Sequence, residues 1–366
     1  MRVLIAGGGT GGHLIPALNI ARELSSRHPD AEIYFIGTER GLEKEIVPEE
    51  GFPLVLLPVE PLSRKPSSSW IRFPIALLKS ITRTISLLRR MDIDVVVAAG
   101  GYVAGPAVFA GWLTRKPVVL CEQNSYPGLT SRIGSLFARA VCLGLPGAKK
   151  HLWRKSRAVL TGNPVNLPRG DVDKAWVREK LGLKPRGVVV LITGGSQGAA
   201  SINRAVMQML ERADLPENAQ LLWQTGADKF DDIASKLPSS AKRVKVLPFI
   251  RPMWEAYATA DIIVARCGAL TLSEIAVFGL PAILVPYPYA AADHQRLNAI
   301  VFAEAGAAMV IQDDELTGKT LALTLADLIA DDNRRTQMGK SAESLAKPNA
   351  LDEIIVTIED IASSRK

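Results

Sequence analysis

Short apolar runs alternate with longer helical patterns along nearly the whole chain. Five such runs lie in the first part of the chain: RVLIA, AEIYFIG, DVVVAAG, PVVLCEQ and AVCLG. Five more lie in the second part: GVVVLITGG, QLLWQTG, RVKVLPF, DIIVARCG and PAILVPY. Runs this short, and apolar on both faces, are typical of parallel strands covered by helices. The alternation therefore predicts an α/β fold with doubly wound parallel sheets.

The two parts of the chain begin alike, which predicts two domains. RVLIAGGGTGGH opens the first part and GVVVLITGGSQGA opens the second. Between them lies TGNPVNLPRGDVD, a segment rich in Pro, Gly and Asp that is typical of a linker. We therefore expect two Rossmann-like domains, residues 1–164 and 165–346, with a ligand cleft between them. The pattern of residues 347–366 predicts a separate amphipathic helix that covers one of the two domains.

Residues 95–114 form a stretch of twenty residues without a charge, which is long enough for a membrane span. Gly100-Gly101 and Gly105-Pro106 interrupt this stretch. Because glycine and proline break regular elements, we interpret the stretch as a buried strand, a glycine turn and an apolar helix.

The net charge of +7 favours anionic partners. No basic run with interleaved aromatic residues is present, which argues against a nucleic-acid partner. The three cysteines, Cys121, Cys142 and Cys267, lie far apart and predict neither disulfides nor a zinc site, in keeping with a reducing cytoplasm. We expect no signal peptide, and no bound metal because no Asp-x-Asp triplet follows a strand.

Three strands end in consecutive glycines, at Gly7–Gly9, Gly100–Gly101 and Gly194–Gly195. Such loops let backbone amides and the next helix N-terminus approach a phosphate, so together they predict an anionic ligand. The first loop also matches the dinucleotide fingerprint. A ribose-binding carboxylate should then end the second strand, but Glu32 comes too early and Glu39 too late. This disfavours a nicotinamide-dependent oxidoreductase.

Two segments of the second half offer ligands for a sugar nucleotide. Glu274 lies in the first turn of a predicted helix, where it can face ribose hydroxyls or simply favour the helix dipole. Asp293, His294 and Gln295 follow a strand and can bind sugar hydroxyls, although an Asp N-cap with solvated neighbours gives the same pattern.

His13 follows the first glycine loop, at the start of a helix predicted to begin near Pro16. A neutral imidazole at that position can accept the proton of an attacking hydroxyl. It can equally cap the helix or bind phosphate, and Glu122 is the rival base.

Seven motifs, in order along the chain, resemble the MurG family of UDP-N-acetylglucosamine (UDP-GlcNAc) transferases: GGGTGGHLIPAL, GGYVAGP, EQNSYPG, TGNPV, ITGGSQGA, CGALTLSE and DHQRLNA. The resemblance runs across both predicted domains. It implies an inverting GT-B glycosyltransferase with no cofactor. UDP-GlcNAc would be the donor and undecaprenyl-pyrophosphoryl-MurNAc-pentapeptide (lipid I) the acceptor. The product, lipid II with its new β-1,4 bond, serves peptidoglycan synthesis and so cell shape and division.

The resemblance also implies roles for individual residues. In the second domain it implies that Ser196 binds the phosphates, Glu274 the ribose and Gln295 the GlcNAc hydroxyls. Ile250 would lie near the uracil, and Ala269, Leu270 and Thr271 would line the base and phosphates. In the first domain Thr10, Gly11, Gly12 and Asn124 would contact the donor, with Tyr102 and Glu122 on the acceptor side. Asn166 departs from the family, which commonly has arginine there; Arg169 or Arg251 could supply the missing cation.

Three alternatives remain open at the sequence level. One is another lipid-directed GT-B transferase, such as a diacylglycerol glycosyltransferase. The second is a UDP-GlcNAc 2-epimerase, and the third is a non-catalytic subunit that binds sugar nucleotides. The GGYVAGP and EQNSYPG loops favour the lipid I transferase.

Residues 63–90 contain seven basic residues and no acidic residue. An apolar stripe at helical spacing accompanies them: Trp70, Phe73, Leu77, Ile81, Ile85 and Leu88. Basic amphipathic segments suit anionic leaflets, so we expect peripheral binding to the cytoplasmic side of the inner membrane. A core-facing helix gives the same stripe. We therefore expect the stripe to lie partly in the core, with its Trp70–Phe73 end toward lipid.

Overall fold

The computed structural model describes residues 1–59, 69–168, 170 and 172–364, without the side chains of residues 69–72. The chain divides into two compact units. The first comprises residues 1–165 and 348–366, and the second comprises residues 166–347.

The first unit is built on a sheet of seven parallel strands: β1 (Arg2–Gly7), β2 (Glu32–Thr38), β3 (Leu54–Leu57), β4 (Val95–Gly100), β5 (Val118–Glu122), β6 (Ala140–Leu143) and β7 (Ala158–Leu160). Their order is β3-β2-β1-β4-β5-β6-β7. The strand order reverses between β1 and β4. In doubly wound sheets the loops at the carboxyl ends of such a strand pair border the ligand site.

Helices cover both faces of this sheet: α1 (Gly11–Arg27), α2 (Glu43–Glu49), α3 (Ser69–Arg90), α4 (Ala104–Leu113), α5 (Leu129–Gly134) and α14 (Ala350–Ser363). On one face, residues of α1 and α14 share an apolar cluster with the inner strands. On the other face, Leu88 of α3 and the small residues of α4 form a second cluster.

The second unit repeats this plan with six parallel strands: β8 (Val188–Thr193), β9 (Ala219–Gln224), β10 (Val244–Leu247), β11 (Ile262–Ala265), β12 (Ala282–Leu284) and β13 (Ala308–Val310). Their order is β10-β9-β8-β11-β12-β13, so the reversal lies between β8 and β11. Its helices are α6 (Lys174–Lys180), α7 (Ala200–Glu211), α8 (Ala227–Ser235), α9 (Met253–Thr259), α10 (Ala269–Val277), α11 (His294–Glu304), α12 (Gly318–Ala330) and α13 (Asp332–Ser344).

The predicted fold class, two Rossmann-like domains with parallel sheets, is confirmed. Three short strands, β3, β7 and β13, were not predicted; each lies at an edge of its sheet and is only partly buried. Residues 95–114 form β4, a glycine turn and α4, as interpreted. Within the described ranges, no helix is long and apolar enough to cross a membrane.

The structure adds detail at two helices. The last helix, α14, packs on α1 in the first unit, where Ile354, Ile355 and Ile358 are buried. In α3 the predicted stripe is half-buried at Phe73, Leu77, Ile81 and Ile85 and buried at Leu88, whereas Ile75 and Leu78 are exposed. The Trp70 side chain lies outside the described part of the chain.

Candidate functional site

The first glycine loop leads directly into α1. Gly9 has a φ of +85°, a conformation that favours glycine, and Thr10 is the residue before the helix. The helix begins at Gly11, so the prediction of a start near Pro16 is wrong: Pro16 lies inside the helix. Pro16 is the sixth residue of the helix and lies in its second turn, so the Gly12 carbonyl lacks the i+4 amide that would otherwise donate to it. His13 is therefore the third helical residue.

A buried carboxylate holds this loop in place by hydrogen bonds, and the sequence analysis missed it. Glu43 of α2 is fully buried, and its carboxylate accepts hydrogen bonds from the Gly9 amide (2.8 Å), the Thr38 amide (2.8 Å) and the Thr38 hydroxyl (2.9 Å). A Cβ atom on Gly8 would lie 2.5 Å from this carboxylate, closer than contacting atoms can be. Glu43 thus connects the loop after β1 to the end of β2.

His13 has a hydrogen-bond partner that defines its tautomer. Its Nδ1 lies 3.1 Å from Oε1 of Gln123, a buried residue directly after β5. The Gln123 amide nitrogen donates to the Ala99 carbonyl at 2.8 Å. Since that nitrogen is the donor end of the amide, Oε1 must be an acceptor, and Nδ1 of His13 carries the hydrogen. Nε2 is then the unprotonated nitrogen, and it has no bond to any described residue.

The glycine turn after β4 makes room for this imidazole. Gly100 has a φ of +109°, and a Cβ there would lie 2.3 Å from Nδ1 of His13. The Tyr102 ring that follows lies beside Gly9, 3.2 Å from where a Cβ of Gly9 would be. The predicted residues Thr10, Gly11, Gly12, His13 and Tyr102 are thus brought together beside the point where the strand order reverses.

Glu122, the last residue of β5, uses its carboxylate to hold the loop that follows the strand. It is buried, and its carboxylate accepts hydrogen bonds from the Asn124 amide (2.9 Å), the Asn124 side chain (3.2 Å) and the Gly128 amide (3.1 Å). The carboxylate therefore shapes the loop between β5 and α5, and Asn124 is part of the same hydrogen-bonded turn.

In the second unit the loops after β8 and β11 occupy the corresponding reversal point. Ser196 is exposed in the loop after β8. In that loop Gly198 has a φ of +66°, and a Cβ on it would lie 1.8 Å from the Thr225 carbonyl oxygen. Ala269, Leu270 and Thr271 form the first turn of α10, where backbone amides point out of the helix end.

Glu274 lies in the second turn of α10, and it is more than a residue that favours the helix dipole. The Tyr257 hydroxyl donates to its Oε2 at 2.7 Å. Burial raises the pKa of Glu274 to about 7, although the hydrogen bond from Tyr257 acts in the opposite direction. Near neutral pH both the protonated and the ionised form of this carboxyl group are therefore populated.

Gln295 is oriented by two backbone amides. Its Oε1 accepts from Cys267 (3.1 Å) and Tyr287 (3.0 Å), so its side-chain nitrogen is the group left to donate to a ligand. Asp293 precedes α11 without a side-chain capping bond, and its carboxylate pairs with Arg296. Its neighbour His294 is hydrogen-bonded to the Ala291 carbonyl at 2.8 Å.

Two predicted residues lie in contrasting environments: one is buried and the other is exposed. Ile250 is buried, and its amide donates to Oε1 of Gln224 at 2.8 Å. Asn166 is exposed and has no hydrogen bond within the described residues. Of the two cations suggested to replace the family arginine, Arg169 lies outside the described residues, and Arg251 lies over the Phe249 ring at 5.7 Å.

Two Rossmann-like units, each with glycine-containing loops at its strand-order reversal, are the architecture of the GT-B glycosyltransferases. Residues 3–143 match the glycosyltransferase family 28 N-terminal domain, and residues 189–354 match the family 28 C-terminal domain. The calicheamicin glycosyltransferase CalG4 shares the fold, with a TM-score of 0.71 at 16% identity over 99% of this chain and 98% of that chain. The protein is a glycosyltransferase.

More similar relatives define the family. The chain is 37% identical to the UDP-N-acetylglucosamine–N-acetylmuramyl-(pentapeptide) pyrophosphoryl-undecaprenol N-acetylglucosamine transferase of Acetivibrio thermocellus, over 100% of this chain and 99% of the relative. The crystal structure of Acinetobacter baumannii MurG matches with a TM-score of 0.78 at 29% identity, covering 98% of this chain and 99% of that chain. The chain belongs to the MurG family.

Proposed function

We propose that this protein transfers GlcNAc from UDP-GlcNAc to lipid I, with inversion, to form the β-1,4 bond of lipid II. Its relatives of the same length are named for this transfer. The single observation that carries the chemistry is the hydrogen bond between Nδ1 of His13 and Gln123, which leaves Nε2 as the acceptor nitrogen of the neutral imidazole, beside two glycine turns.

In this proposal the second unit binds the donor. Leaving UDP needs stabilisation of its β-phosphate, which the first-turn amides of α10 and the loop containing Ser196 can supply. Glu274 accepts hydrogen bonds from the ribose hydroxyls, and the Gln295 nitrogen donates to a GlcNAc hydroxyl. Support for both roles comes from the orientation that Tyr257 and two backbone amides impose on these side chains.

His13, rather than Glu122, is the base in this proposal. A general base needs a lone pair that is available to the attacking hydroxyl. The imidazole has one at Nε2, whereas the Glu122 carboxylate already accepts three hydrogen bonds from its own loop. We expect His13→Ala to leave UDP-GlcNAc affinity nearly unchanged and to lower kcat by roughly 10²–10⁴-fold, the usual effect of losing a base.

We propose that the protein binds the anionic surface of the inner membrane peripherally, because lipid I is anchored there. Ile75 and Leu78 of α3 are 57% and 63% exposed, and exposed Lys79 and Arg83 lie on the same helix. Trp112 at the end of α4, the helix that packs on α3, is 51% exposed. Exposed apolar side chains with flanking cations are the combination that binds anionic bilayers.

The test is UDP release from UDP-GlcNAc with and without a soluble lipid I analogue. Release that depends on the analogue and yields the disaccharide product supports the proposal. Release with diacylglycerol instead indicates another lipid glycosyltransferase, and formation of UDP-N-acetylmannosamine indicates an epimerase. UDP-GlcNAc binding with no release under any acceptor indicates a binding subunit. A change in reduced-nicotinamide absorbance during turnover would instead indicate a nicotinamide-dependent oxidoreductase.

A further inference from the structure

Three side chains that the sequence analysis did not single out lie together on the first unit. Tyr126 belongs to the loop between β5 and α5, Arg132 belongs to α5, and His151 ends the 3-10 turn Ala148–His151 after β6. The Tyr126 and His151 rings lie with their centroids 4.6 Å apart. The Arg132 guanidinium lies 5.9 Å from the Tyr126 ring centroid, with Nη1 3.5 Å from its hydroxyl oxygen. We refer to these three residues as the Arg132–His151 cluster.

Arg132 is incompletely paired. Its Nε is buried and has no hydrogen-bond partner among the described residues, a rare state for a buried polar atom. Within the same part of the chain, its one side-chain hydrogen bond is the long one to Tyr126. A buried and unpaired guanidinium N–H is unfavourable for the folded protein, and the usual partner of a guanidinium is a carboxylate or a phosphate.

The segment that carries the cluster supplies no carboxylate to pair with this charge. Residues 123–170 contain eight basic residues and neither Asp nor Glu. Within the described residues, no ion pair includes Arg132 or His151. The charged groups that face His151 come from three segments, Lys150 beside it, Arg132 on α5 and Lys155 beyond it, and all are cations. Burial and these cations lower the pKa of His151, so it is largely neutral at pH 7.

The cluster lies in the loop system that supports the candidate base. Tyr126 is three residues after Gln123, which hydrogen-bonds to His13, and two residues before Gly128, whose amide donates to Glu122. The cluster is therefore located at the carboxyl end of the sheet, where the first unit is expected to receive the acceptor.

We propose that the Arg132–His151 cluster is an oxyanion subsite that binds a phosphate or carboxylate group of the acceptor. This inference rests on the proposed function, because lipid I carries both kinds of group. The Arg132 guanidinium donates to the oxyanion, and His151 takes up a proton and donates as an imidazolium. The Tyr126 ring contacts both donors.

The first experiment measures binding without turnover. The protein has four histidines, so His151 is readily assigned in NMR spectra by its loss in His151→Gln. Inorganic pyrophosphate is added at pH 7. We expect the His151 resonances to move toward those of the imidazolium and to saturate. His28, already paired with Glu359 at 2.7 Å, should not move and is the internal control. The response should be lost in Arg132→Gln. No saturable response of His151 overturns the subsite.

The second experiment identifies the source of the oxyanion. With a soluble lipid I analogue, Arg132→Gln should raise the acceptor KM by roughly 10–100-fold, the effect of losing a charged hydrogen bond, and change the UDP-GlcNAc KM less than about twofold. Arg132→Lys should recover part of the loss. Arg139→Gln removes the same charge from an exposed site of the same acid-free segment and should leave both KM values unchanged.

A third measurement tests the lipid headgroup as an alternative source. Binding of Arg132→Gln and Arg139→Gln to phosphatidylglycerol vesicles is compared by sedimentation. An unchanged acceptor KM with weaker vesicle binding specific to Arg132→Gln makes the oxyanion a lipid headgroup and overturns the acceptor subsite. If wild-type protein shows the NMR response but no transfer to lipid I, the proposed function fails while pyrophosphate binding stands, so the two failures are distinguishable.

Discussion

At the scale of single residues, the hydrogen-bond network defines what each side chain can do. His13 and Glu122 are both titratable groups at the carboxyl end of the same sheet. Gln123 orients the imidazole so that one nitrogen remains available, whereas three N–H groups occupy the Glu122 carboxylate. The difference in role therefore comes from the neighbours of each residue.

Gln123 provides a test of the proposed tautomer. Gln123→Leu removes the acceptor for Nδ1, so both tautomers become populated, and kcat should fall by roughly 10–10³-fold with UDP-GlcNAc affinity unchanged. Gln123→Glu places a negative charge beside Nδ1 and stabilises the imidazolium. The low-pH limb of kcat should therefore move to higher pH. The measurement is kcat from pH 5.5 to 9, with ¹⁵N NMR of His13. An Nε2–H tautomer in the wild-type protein would contradict the assignment.

Glu274 provides a test through proton release. Its pKa of about 7 means that about half the population is protonated at pH 7. Ribose hydroxyls donate to the ionised form and should lower this pKa, so UDP binding at pH 7 should release up to about half a proton. Calorimetry in buffers of different ionisation enthalpy measures the release. Glu274→Gln should abolish it and weaken UDP binding by roughly ten-fold or more.

The same pKa has a consequence for stability with a definite sign. Because the folded-state pKa is raised above 4.5, the folded protein binds more protons than the unfolded chain in this range. The contribution of Glu274 to the free energy of unfolding is therefore fully present below about pH 4.5 and is lost as the pH rises through about 7. Thermal unfolding measured across this pH range tests the assignment. If the stability of Glu274→Gln falls with rising pH as much as that of the wild-type protein, the assignment is contradicted.

At the scale of elements, the strand–loop–helix units depend on contacts from outside the unit. The loop from Gly7 to Thr10 is supported by Glu43, which belongs to the next β–α unit. The positions of Gly8, Gly37 and Gly41 surround the Glu43 side chain, and a Cβ on any of them would lie within 2.5 Å of it.

Glu43→Gln is the test of this support. It replaces one oxygen with an NH₂ group that cannot accept from the Gly9 or Thr38 amides. We expect a lower thermal midpoint, weaker protection of the Gly9 amide in hydrogen exchange and a kcat at least ten-fold lower, by the cost of misplacing catalytic groups. Glu45→Gln on the exposed side of the same helix is the control and should change none of these. Wild-type values in all three for Glu43→Gln would show that the loop keeps its shape without the carboxylate.

At the scale of the whole molecule, each unit contains its own set of glycine loops, and the chain returns to the first unit through α14. An ion pair of Arg27 with Asp352 and a hydrogen bond between His28 and Glu359 accompany the buried isoleucines of this helix. The surface of the first unit also has the exposed apolar residues proposed for membrane binding.

Membrane binding is tested by Ile75→Ser with Leu78→Ser. Because the variants remove apolar area that would leave water on binding, partition to phosphatidylglycerol vesicles should fall roughly ten-fold or more. Higher salt should reduce the remainder. Turnover of a soluble acceptor should be unchanged. Leu323→Ser with Val356→Ser, at exposed sites of α12 and α14, is the matched control. Equal partition of both double variants would exclude α3 as the membrane surface.

The local pattern of the chain was sufficient for much of the architecture. Parallel strands buried on both faces leave continuous apolar runs, and glycine is favoured where φ is positive or a backbone approaches closely, so ten of the strands and all three glycine loops could be predicted. The edge strand β7, with one buried residue of three, leaves no such pattern. The helix start at Gly11 was missed because Pro16 resembled a boundary, whereas it is the sixth residue of the helix.

Only the tertiary structure decided the properties that depend on contacts between residues distant in the chain. The tautomer of His13 depends on Gln123, 110 residues away, and the hydrogen bond that orients Glu274 comes from Tyr257 on another helix. Glu43 has no motif of its own, and its role follows from meeting the Gly9 amide 34 residues away. Sequence patterns report which face of an element is apolar. They do not report which side chain a neighbouring element brings to a polar atom, because burial and hydrogen bonding are properties of the assembled fold.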